Sequence, residues 1–306
     1  MPKNFIKTER KIEKLFPVGG TFRFEEKEYK IDICGKPRPS SGECKTDVYV
    51  KGVAADGKEI ELKISVKQDN AHFVENKISL ERAREIFGHD ASDILKKCVK
   101  SIKKHFVSDF LVCFEQNGKT EAHTMKLGWR FELLNRPGGN KAGEMELTDS
   151  QKIDVLAGIN MPKDKKDSDV NGQTIENSGV ANYILYVGAN DMTQDECLKK
   201  LQPIKEFAKT QKFYFVCKAL NYRFDKKKWD GTRPLAVYVK WFIYDGKLNA
   251  HLVLDEPLAH KGNEAGNNLK QLLDKLNIKT FDDLKTVLSP DVNCFYGEEK
   301  PADKTS

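Results

Sequence analysis

The chain has 306 residues, of which 32% are charged and 39% are hydrophobic, proportions that are typical of a globular protein in water. Lysine and arginine exceed aspartate and glutamate by six, so the charge is compatible with a polyanionic partner but does not demand one. No apolar run approaches the roughly 18 residues that cross a bilayer, and the N-terminal residues lack the apolar core of a secretory signal. We therefore expect a cytoplasmic protein that is not embedded in a membrane.

The seven cysteines are scattered and include no CxxC pair. Zinc sites and disulfide frameworks both depend on characteristic cysteine spacings. We interpret the cysteines as reduced thiols, as is usual in the cytoplasm.

The first third of the chain combines a helix with hairpins. Residues 4–16 place apolar side chains at helical spacing, which predicts an amphipathic helix. Residues 21–34 alternate around a polar centre and predict a hairpin. A second hairpin is predicted over 46–53 and 59–67, with Asp56-Gly57 in its turn.

The remaining elements alternate between helical and strand patterns. Ser79 is placed to cap a helix, and an apolar stripe predicts a second helix from Ala91 to Phe106. The other predicted helices cover residues 148–158, 194–209, 264–276 and 281–288. The predicted strands are 110–115, 129–134, 181–187, 213–219, 235–244 and 248–254, the last two joined by Asp245-Gly246. Long polar loops are predicted at 135–144, 160–178 and 258–268.

The second hairpin carries charge where a purely structural hairpin needs none. A turn at Asp56-Gly57 places Asp47 opposite residues 65–67 of the returning strand. Strand alternation then puts Ser65 and Lys67 on one face and the aliphatic residues on the other. Carboxylates are the ligands that a divalent metal prefers, and a metal beside a phosphodiester polarises it while a nearby lysine stabilises the developing charge.

A second carboxylate is needed to hold such a metal. Glu61 lies on the same strand, but its expected partner is close to residue 52, at a distance from Asp47. The better candidate is Glu81, in the first turn of the helix capped by Ser79, because the chain after Lys67 can return that helix to the strand end.

These residues resemble the PD-(D/E)xK nuclease superfamily, which includes most type II restriction endonucleases. The resemblance is to the subgroup with Ser-x-Lys followed, about thirteen residues later, by a helical Glu; here these are Ser65-Val66-Lys67 and Glu81. It covers roughly residues 4–106. It implies Mg²⁺ bound by Asp47 and Glu81 with the Val66 carbonyl, and Lys67 as the catalytic lysine.

Two features depart from the pattern of that subgroup. Thr46 stands where the superfamily has proline, and the loop after Lys67 reads QDNAHFVENK instead of an arginine-rich segment. A literal motif of Glu61-Leu62-Lys63 also stays open, with Glu61 as the acid and Lys63 as the lysine.

Two segments are candidate DNA contacts. Amide and imidazole side chains follow the catalytic strand, and amides suit adenine edges. A second segment, YRFDKKKWDGTRP, interleaves aromatic and basic residues and could contact phosphates. The candidates are Gln68, Asn70, His72, Asn76, Lys226, Lys227, Lys228 and Arg233.

The expected fold is α/β, with a mixed central β-sheet flanked by helices, a restriction-endonuclease-like core and added recognition elements. Residues 1–106 would form the catalytic core and 107–306 the rest of the sheet and the recognition elements, unless both form one domain. The resemblance implies a Mg²⁺-dependent type II restriction endonuclease that cuts double-stranded DNA as a homodimer. The alternatives are a structure-specific repair or recombination nuclease, and a non-catalytic nucleic-acid-binding protein.

Overall fold

A computed structural model of the chain describes residues 2–69, 73–75, 78–188 and 190–297. The fold is mixed α/β, as the sequence predicts. The α-helices of the described residues are α1 (Pro2–Glu13), α2 (Leu80–Phe87), α3 (Ala91–Ser101), α4 (Lys103–Val107), α5 (Asp149–Ala157), α6 (Lys163–Lys166), α7 (Gln194–Lys200), α8 (Ile204–Thr210), α9 (Gly262–Lys275) and α10 (Leu284–Val287).

The β-strands of the same residues are β1 (Thr21–Phe24), β2 (Lys27–Gly35), β3 (Val48–Ala54), β4 (Glu59–Gln68), β5 (Phe73–Glu75), β6 (Val112–Cys113), β7 (Thr124–Leu134), β8 (Ala142–Glu144), β9 (Asp169–Val170), β10 (Gln173–Thr174), β11 (Tyr183–Val187), β12 (Gln202–Pro203), β13 (Tyr214–Arg223), β14 (Lys228–Trp229), β15 (Pro234–Leu235), β16 (Val237–Tyr244), β17 (Lys247–Val253), β18 (His260–Lys261) and β19 (Cys294–Phe295).

The chain divides into two compact units, each built from separate segments. The first unit contains Met1–Val74, Ala83–His89 and Met145–Phe213. The second contains Glu75–Arg82, Asp90–Glu144 and Tyr214–Ser306. Neither unit is one continuous stretch, so the two are interleaved along the sequence.

The sheet of the first unit has the strand order β1-β2-β3-β4-β11-β12. Its strands pair antiparallel except β4 and β11, which run parallel. The carboxyl ends of β4 and β11 therefore meet at one edge of the sheet. This edge positions the candidate site.

One face of this sheet is packed by helices. Val48 and Val50 of β3 join Leu62, Ile64 and Val66 of β4 in the apolar core. Apolar residues of α1, β11 and α7, together with Phe16 just after α1, complete that core: Ile12, Phe16, Leu185, Val187, Cys197 and Leu198. The predicted alternation of β4 is confirmed, because its aliphatic residues share the covered face.

The sheet of the second unit is centred on β7 and β13, which pair antiparallel over most of their length. Trp129 and Phe131 of β7 are buried, with Phe131 stacked on Phe215 at a ring separation of 5.4 Å. Gly128 has φ +146°, and a Cβ there would lie 2.2 Å from the Val237 carbonyl oxygen. Only glycine permits this close approach of β7 and β16.

The predicted turns agree with the structure. Asp245 and Gly246 both have positive φ and join β16 to β17, the type I′ geometry that an Asp-Gly pair favours. Capping boxes also begin at Thr193, before α7, and at Thr280.

Two predicted helices are interrupted. The helix predicted over 194–209 is wrong as a single element, since α7 ends at Lys200 and α8 begins at Ile204. Pro203 lacks an N–H and restricts the residue before it to extended backbone. The helix predicted from Ala91 breaks at Ile102, where the Ser101 hydroxyl donates to the Cys98 carbonyl at 2.7 Å and competes with the helical pattern.

Among the helices of the described residues, none has the length and apolar character needed to cross a membrane.

Candidate active site at the end of strands β3 and β4

Asp47 lies immediately before β3, at the end of the hairpin where β4 finishes. The register pairs Val48 with Ile64, and the Asp47 N–H donates to the Ile64 carbonyl at 2.8 Å. The Val66 N–H donates to Asp47 Oδ2, also at 2.8 Å. The predicted placement of Asp47 opposite residues 65–67 is confirmed.

The Val66 carbonyl points toward the same side of β4 as its N–H, because both groups of one strand residue face the same neighbour. That neighbour is the Asp47 end of β3. The next residue, Lys67, turns its main chain to β11, where it pairs with Tyr186. The Asp47 carboxylate, the Val66 carbonyl and Lys67 thus all lie at the end of β4.

The carboxylate of Asp47 is partly buried, and nearby positive charges compensate its charge. Burial raises the pKa of Asp47, while the charge of Lys67 and the Val66 N–H act in the opposite direction, as do Lys36 and Lys45. A carboxylate with a raised pKa beside a lysine is a feature of functional sites.

Glu9 of α1 is a second carboxylate near Asp47. Burial raises the pKa of Glu9, the hydrogen bond from Lys36 lowers it, and the charge of Asp47 raises it further. Glu9 forms an ion pair with Lys36, and its side chain is only 16% exposed. Glu9 and Lys36 are not among the residues predicted from the sequence. A signal exists, because Glu9 precedes Ile12 by three and Phe16 by seven residues and so lies on the apolar stripe of the helix.

The literal motif of Glu61 and Lys63 lies farther along β4. Glu61 pairs with Lys51 in the register, whereas Asp47 lies at the strand end. Glu61 Oε1 accepts a hydrogen bond of 2.5 Å from the buried Tyr49 hydroxyl, and Glu61 Oε2 is 3.5 Å from Lys63 Nζ. Both oxygens of Glu61 are therefore engaged within the sheet, which gives this residue a structural role.

Glu81 occupies the first turn of α2. The predicted cap is confirmed, since the Ser79 hydroxyl oxygen accepts a hydrogen bond of 3.1 Å from the Arg82 N–H. Glu81 belongs to the second unit and Asp47 to the first. A role for Glu81 with Asp47 stays a prediction.

The candidate DNA contacts differ in their surroundings. Gln68 ends β4, and its Nε2 donates to the Thr8 hydroxyl at 3.3 Å. Lys226 forms an ion pair with Glu121 at 2.8 Å, and Arg233 Nη1 lies 3.6 Å from Glu132. Lys227 and Lys228 are exposed, whereas Asn70, His72 and Asn76 lie outside the described residues. The contacts of all these side chains with DNA stay predictions.

A groove of about 740 Å³ opens at the carboxyl ends of β4 and β11. Such edges are where open α/β sheets commonly bind ligands. Its lining comes from α1, from Gln68 and Asp69 at the end of β4, and from the residues that follow β11. Thr8 and Gln68, which line the groove, are the chain neighbours of Glu9 and Lys67.

Asp47, Glu9 and the Val66 carbonyl carry oxygen atoms, the donor type that a hard divalent cation prefers. No group of three His, Cys, Asp or Glu side chains that could hold a metal occurs within residues 2–69, 73–75, 78–188 and 190–297. Mg²⁺, however, is commonly held by one or two carboxylates together with substrate phosphates and water. The hydrogen bond from Val66 uses Oδ2 of Asp47, and Oε2 of Glu9 is paired with Lys36.

Comparison with protein-family models, with curated proteins and with solved structures found no match to this chain.

Proposed function

We propose that this protein is a Mg²⁺-dependent nuclease that hydrolyses phosphodiester bonds of double-stranded DNA. The specific form proposed is a type II restriction endonuclease that acts as a homodimer. One observation carries the proposal: the carboxylate of Asp47 is fixed by the Val66 N–H, directly beside Lys67.

A purely structural role does not account for the charge of Asp47. A neutral amide or hydroxyl could accept the Val66 N–H equally well. Burial of a carboxylate costs free energy unless a cation or hydrogen bonds compensate. Lys67, Lys36 and Lys45 offset part of that cost. The retained negative charge is useful if it also attracts a divalent metal, which would add to the compensation.

The residues of the first unit divide the proposed chemistry between them. Asp47, the Val66 carbonyl and Glu9 would hold Mg²⁺, which supplies charge stabilisation and activates water when bound. Lys67 stabilises negative charge on the phosphate through its ammonium group. A fixed donor stabilises such charge more strongly in a partly buried site than in water. Lys36 balances the charge of Glu9 through the ion pair between them.

Plasmid digestion with and without Mg²⁺ tests the proposal. The wild-type protein should cut in Mg²⁺, and Lys67→Met should lower the rate at least about 100-fold, within the range typical of lost electrostatic stabilisation. Lys63→Met is the matched control, because Lys63 is on the same strand face but bound to Glu61. Equal loss in both variants would contradict the role of Lys67.

The pattern of products tests the more specific form. Discrete fragments support a restriction endonuclease. Cleavage confined to branched or damaged substrates supports a repair or recombination nuclease instead. DNA binding without cleavage in Mg²⁺ or Mn²⁺ overturns the proposal in favour of a non-catalytic binding protein.

A further inference from the structure

The groove lies at the carboxyl ends of β4 and β11, the same strand end as Lys67, and two of its lining residues are chain neighbours of residues of the candidate site. Glu9 follows Thr8, and Gln68 follows Lys67, so each wall joins a residue of the site to a residue of the groove. The Gln68 side chain bridges the two walls through its hydrogen bond to Thr8. A polymer cut at Asp47 and Lys67 must extend beyond the cut, and this groove lies next to it.

The α1 wall of the groove is basic. Lys7 and Lys11 of α1 line it, and so does Lys14, which directly follows the helix and whose N–H still donates to the Arg10 carbonyl at 3.2 Å. Their spacing of four and three residues puts them on one face. Between Lys7 and Lys14 the helix rises by about 10 Å. Phosphates of one DNA strand recur about every 3.4 Å along the duplex axis, so this row spans roughly three of them.

The opposite wall contains carboxylates that modulate this charge. Lys11 Nζ is 2.5 Å from Asp191 Oδ1, and both side chains are largely exposed. Asp69 lines the groove after Gln68. The Lys11–Asp191 pair is exposed to water and contributes little stability, so a phosphate can replace Asp191 as the partner of Lys11 at small cost.

We propose that this groove binds the sugar-phosphate backbone of the DNA strand that leads away from the scissile phosphate, with Lys7, Lys11 and Lys14 as its phosphate contacts. The proposal rests on the proposed nuclease function. It adds a backbone-binding surface in the first unit, separate from the basic segment around Lys226–Lys228.

Salt-dependent binding of a short fluorescein-labelled DNA duplex, without divalent metal, tests the groove. Affinity is measured by anisotropy between about 50 and 200 mM salt. In the Lys7→Gln/Lys14→Gln double variant, the slope of log K against log salt should become less steep by about 2, since each lost phosphate contact accounts for about 0.9. The affinity should fall at least about tenfold at the lowest salt.

Two further variants accompany the double variant. One is expected to strengthen DNA binding, and the other is a matched control. Asp191→Asn frees Lys11 and should strengthen binding severalfold while steepening the slope. Lys205→Gln removes an exposed lysine of α8, outside the groove lining, and should leave both quantities unchanged. A wild-type slope in the double variant, or an unchanged affinity in Asp191→Asn, would overturn the proposal.

Failure of the groove can be told apart from failure of the nuclease function. Cleavage is measured on the wild-type protein in Mg²⁺, and binding is measured on the wild-type protein and the double variant without divalent metal. If the wild-type protein binds DNA through the groove but never cuts it, the nuclease function fails alone. If it cuts DNA and the double variant binds normally, only the groove is wrong.

Discussion

Asp47 Oδ2 accepts a hydrogen bond of 2.8 Å from the main-chain N–H of Val66, the residue before Lys67. This contact gives Asp47 two separable properties. Its oxygen satisfies a strand N–H, and its negative charge lies beside a lysine. A substitution that keeps the hydrogen-bond acceptor but removes the negative charge distinguishes a structural role of Asp47 from a catalytic one.

Asp47→Asn should abolish cleavage without lowering the free energy of unfolding. The amide oxygen can still accept the Val66 N–H, and the buried charge is gone. Because the pKa of Asp47 is raised in the native state, its ionised form is destabilising at neutral pH. Denaturant unfolding should therefore show the Asp47→Asn variant to be at least as stable as the wild type at pH 7, with any gain shrinking as the pH falls toward about 4.

Asp47→Ala is the matched comparison. It removes the acceptor as well as the charge and leaves the Val66 N–H without its partner, which costs about 1–3 kcal/mol. Both variants should be inactive, but only alanine should lower stability. Wild-type cleavage by the asparagine variant would show that the charge of Asp47 has no catalytic use.

The carboxylates near the hairpin should differ in their effect on cleavage. Glu9→Gln should lower the rate at least about 100-fold, a loss within the range of catalytic electrostatic interactions, because it removes a negative charge close to Asp47. Glu61→Gln should change the rate less than about tenfold. Glu61 is bound to Tyr49 and Lys63 and lies outside the candidate active site. Glu81→Gln, measured in parallel, tests the ligand implied by the resemblance.

One result of these measurements would contradict the role proposed for Glu9. If Glu61→Gln is the most damaging and Glu9→Gln is silent, the literal motif of Glu61 and Lys63 is the catalytic one. Thermal unfolding of each variant serves as the control, so that a loss of fold is not taken for a loss of chemistry.

Local sequence rules predicted the hairpin that carries Asp47 and Lys67. An Asp-Gly turn fixes the register, and alternation fixes the face, so two residues far apart in sequence could be placed together from pattern alone. The structure agrees with both, from the pairing of Val48 with Ile64 to the burial of Val66.

Long-range features were beyond these rules. Glu9 lies near Asp47 because α1 packs across β3 and β4, and helical periodicity does not say which strand end a helix will cover. The parallel pairing of β4 with β11 joins segments separated by much of the chain. Hydrophobic pattern gives no partner for such a strand, so the edge that forms the groove could not be predicted.

Lys126 in the second unit should make stability depend on alkaline pH. It is buried on β7, and its Nζ lies 3.3 Å from Asp109 and 3.4 Å from the centre of the Phe110 ring. Burial lowers the pKa of Lys126 to about 8 despite the charge of Asp109. Between about pH 8 and the unfolded value near 10.4, the unfolded chain binds more protons, so the free energy of unfolding should rise with pH.

Comparison with Lys126→Met isolates this contribution. Buried thiols such as Cys217, whose pKa burial raises, lower the stability over the same range, but they do so in both proteins. The wild-type free energy of unfolding, minus that of Lys126→Met, should increase by up to about 3 kcal/mol between about pH 8 and 10.5, at roughly 1.36 kcal/mol per pKa unit. A difference that is flat with pH would contradict the lowered pKa.

Metal binding should depend on DNA. Two carboxylates and one carbonyl leave much of the octahedral shell of Mg²⁺ to water and phosphate, so the free protein should bind Mg²⁺ weakly and the DNA complex much more tightly. Ca²⁺ tolerates looser geometry and should support DNA binding without efficient cleavage.

Calorimetric titration of Ca²⁺ into the complex with uncleaved DNA measures the metal affinity. Asp47→Asn and Glu9→Gln should each weaken that affinity. Glu61→Gln is the control and should bind Ca²⁺ as the wild type does. Should Asp47→Asn and Glu9→Gln both retain wild-type affinity in the complex, these two carboxylates do not share a metal, and the strand end formed by Asp47 and Val66 is not a metal site.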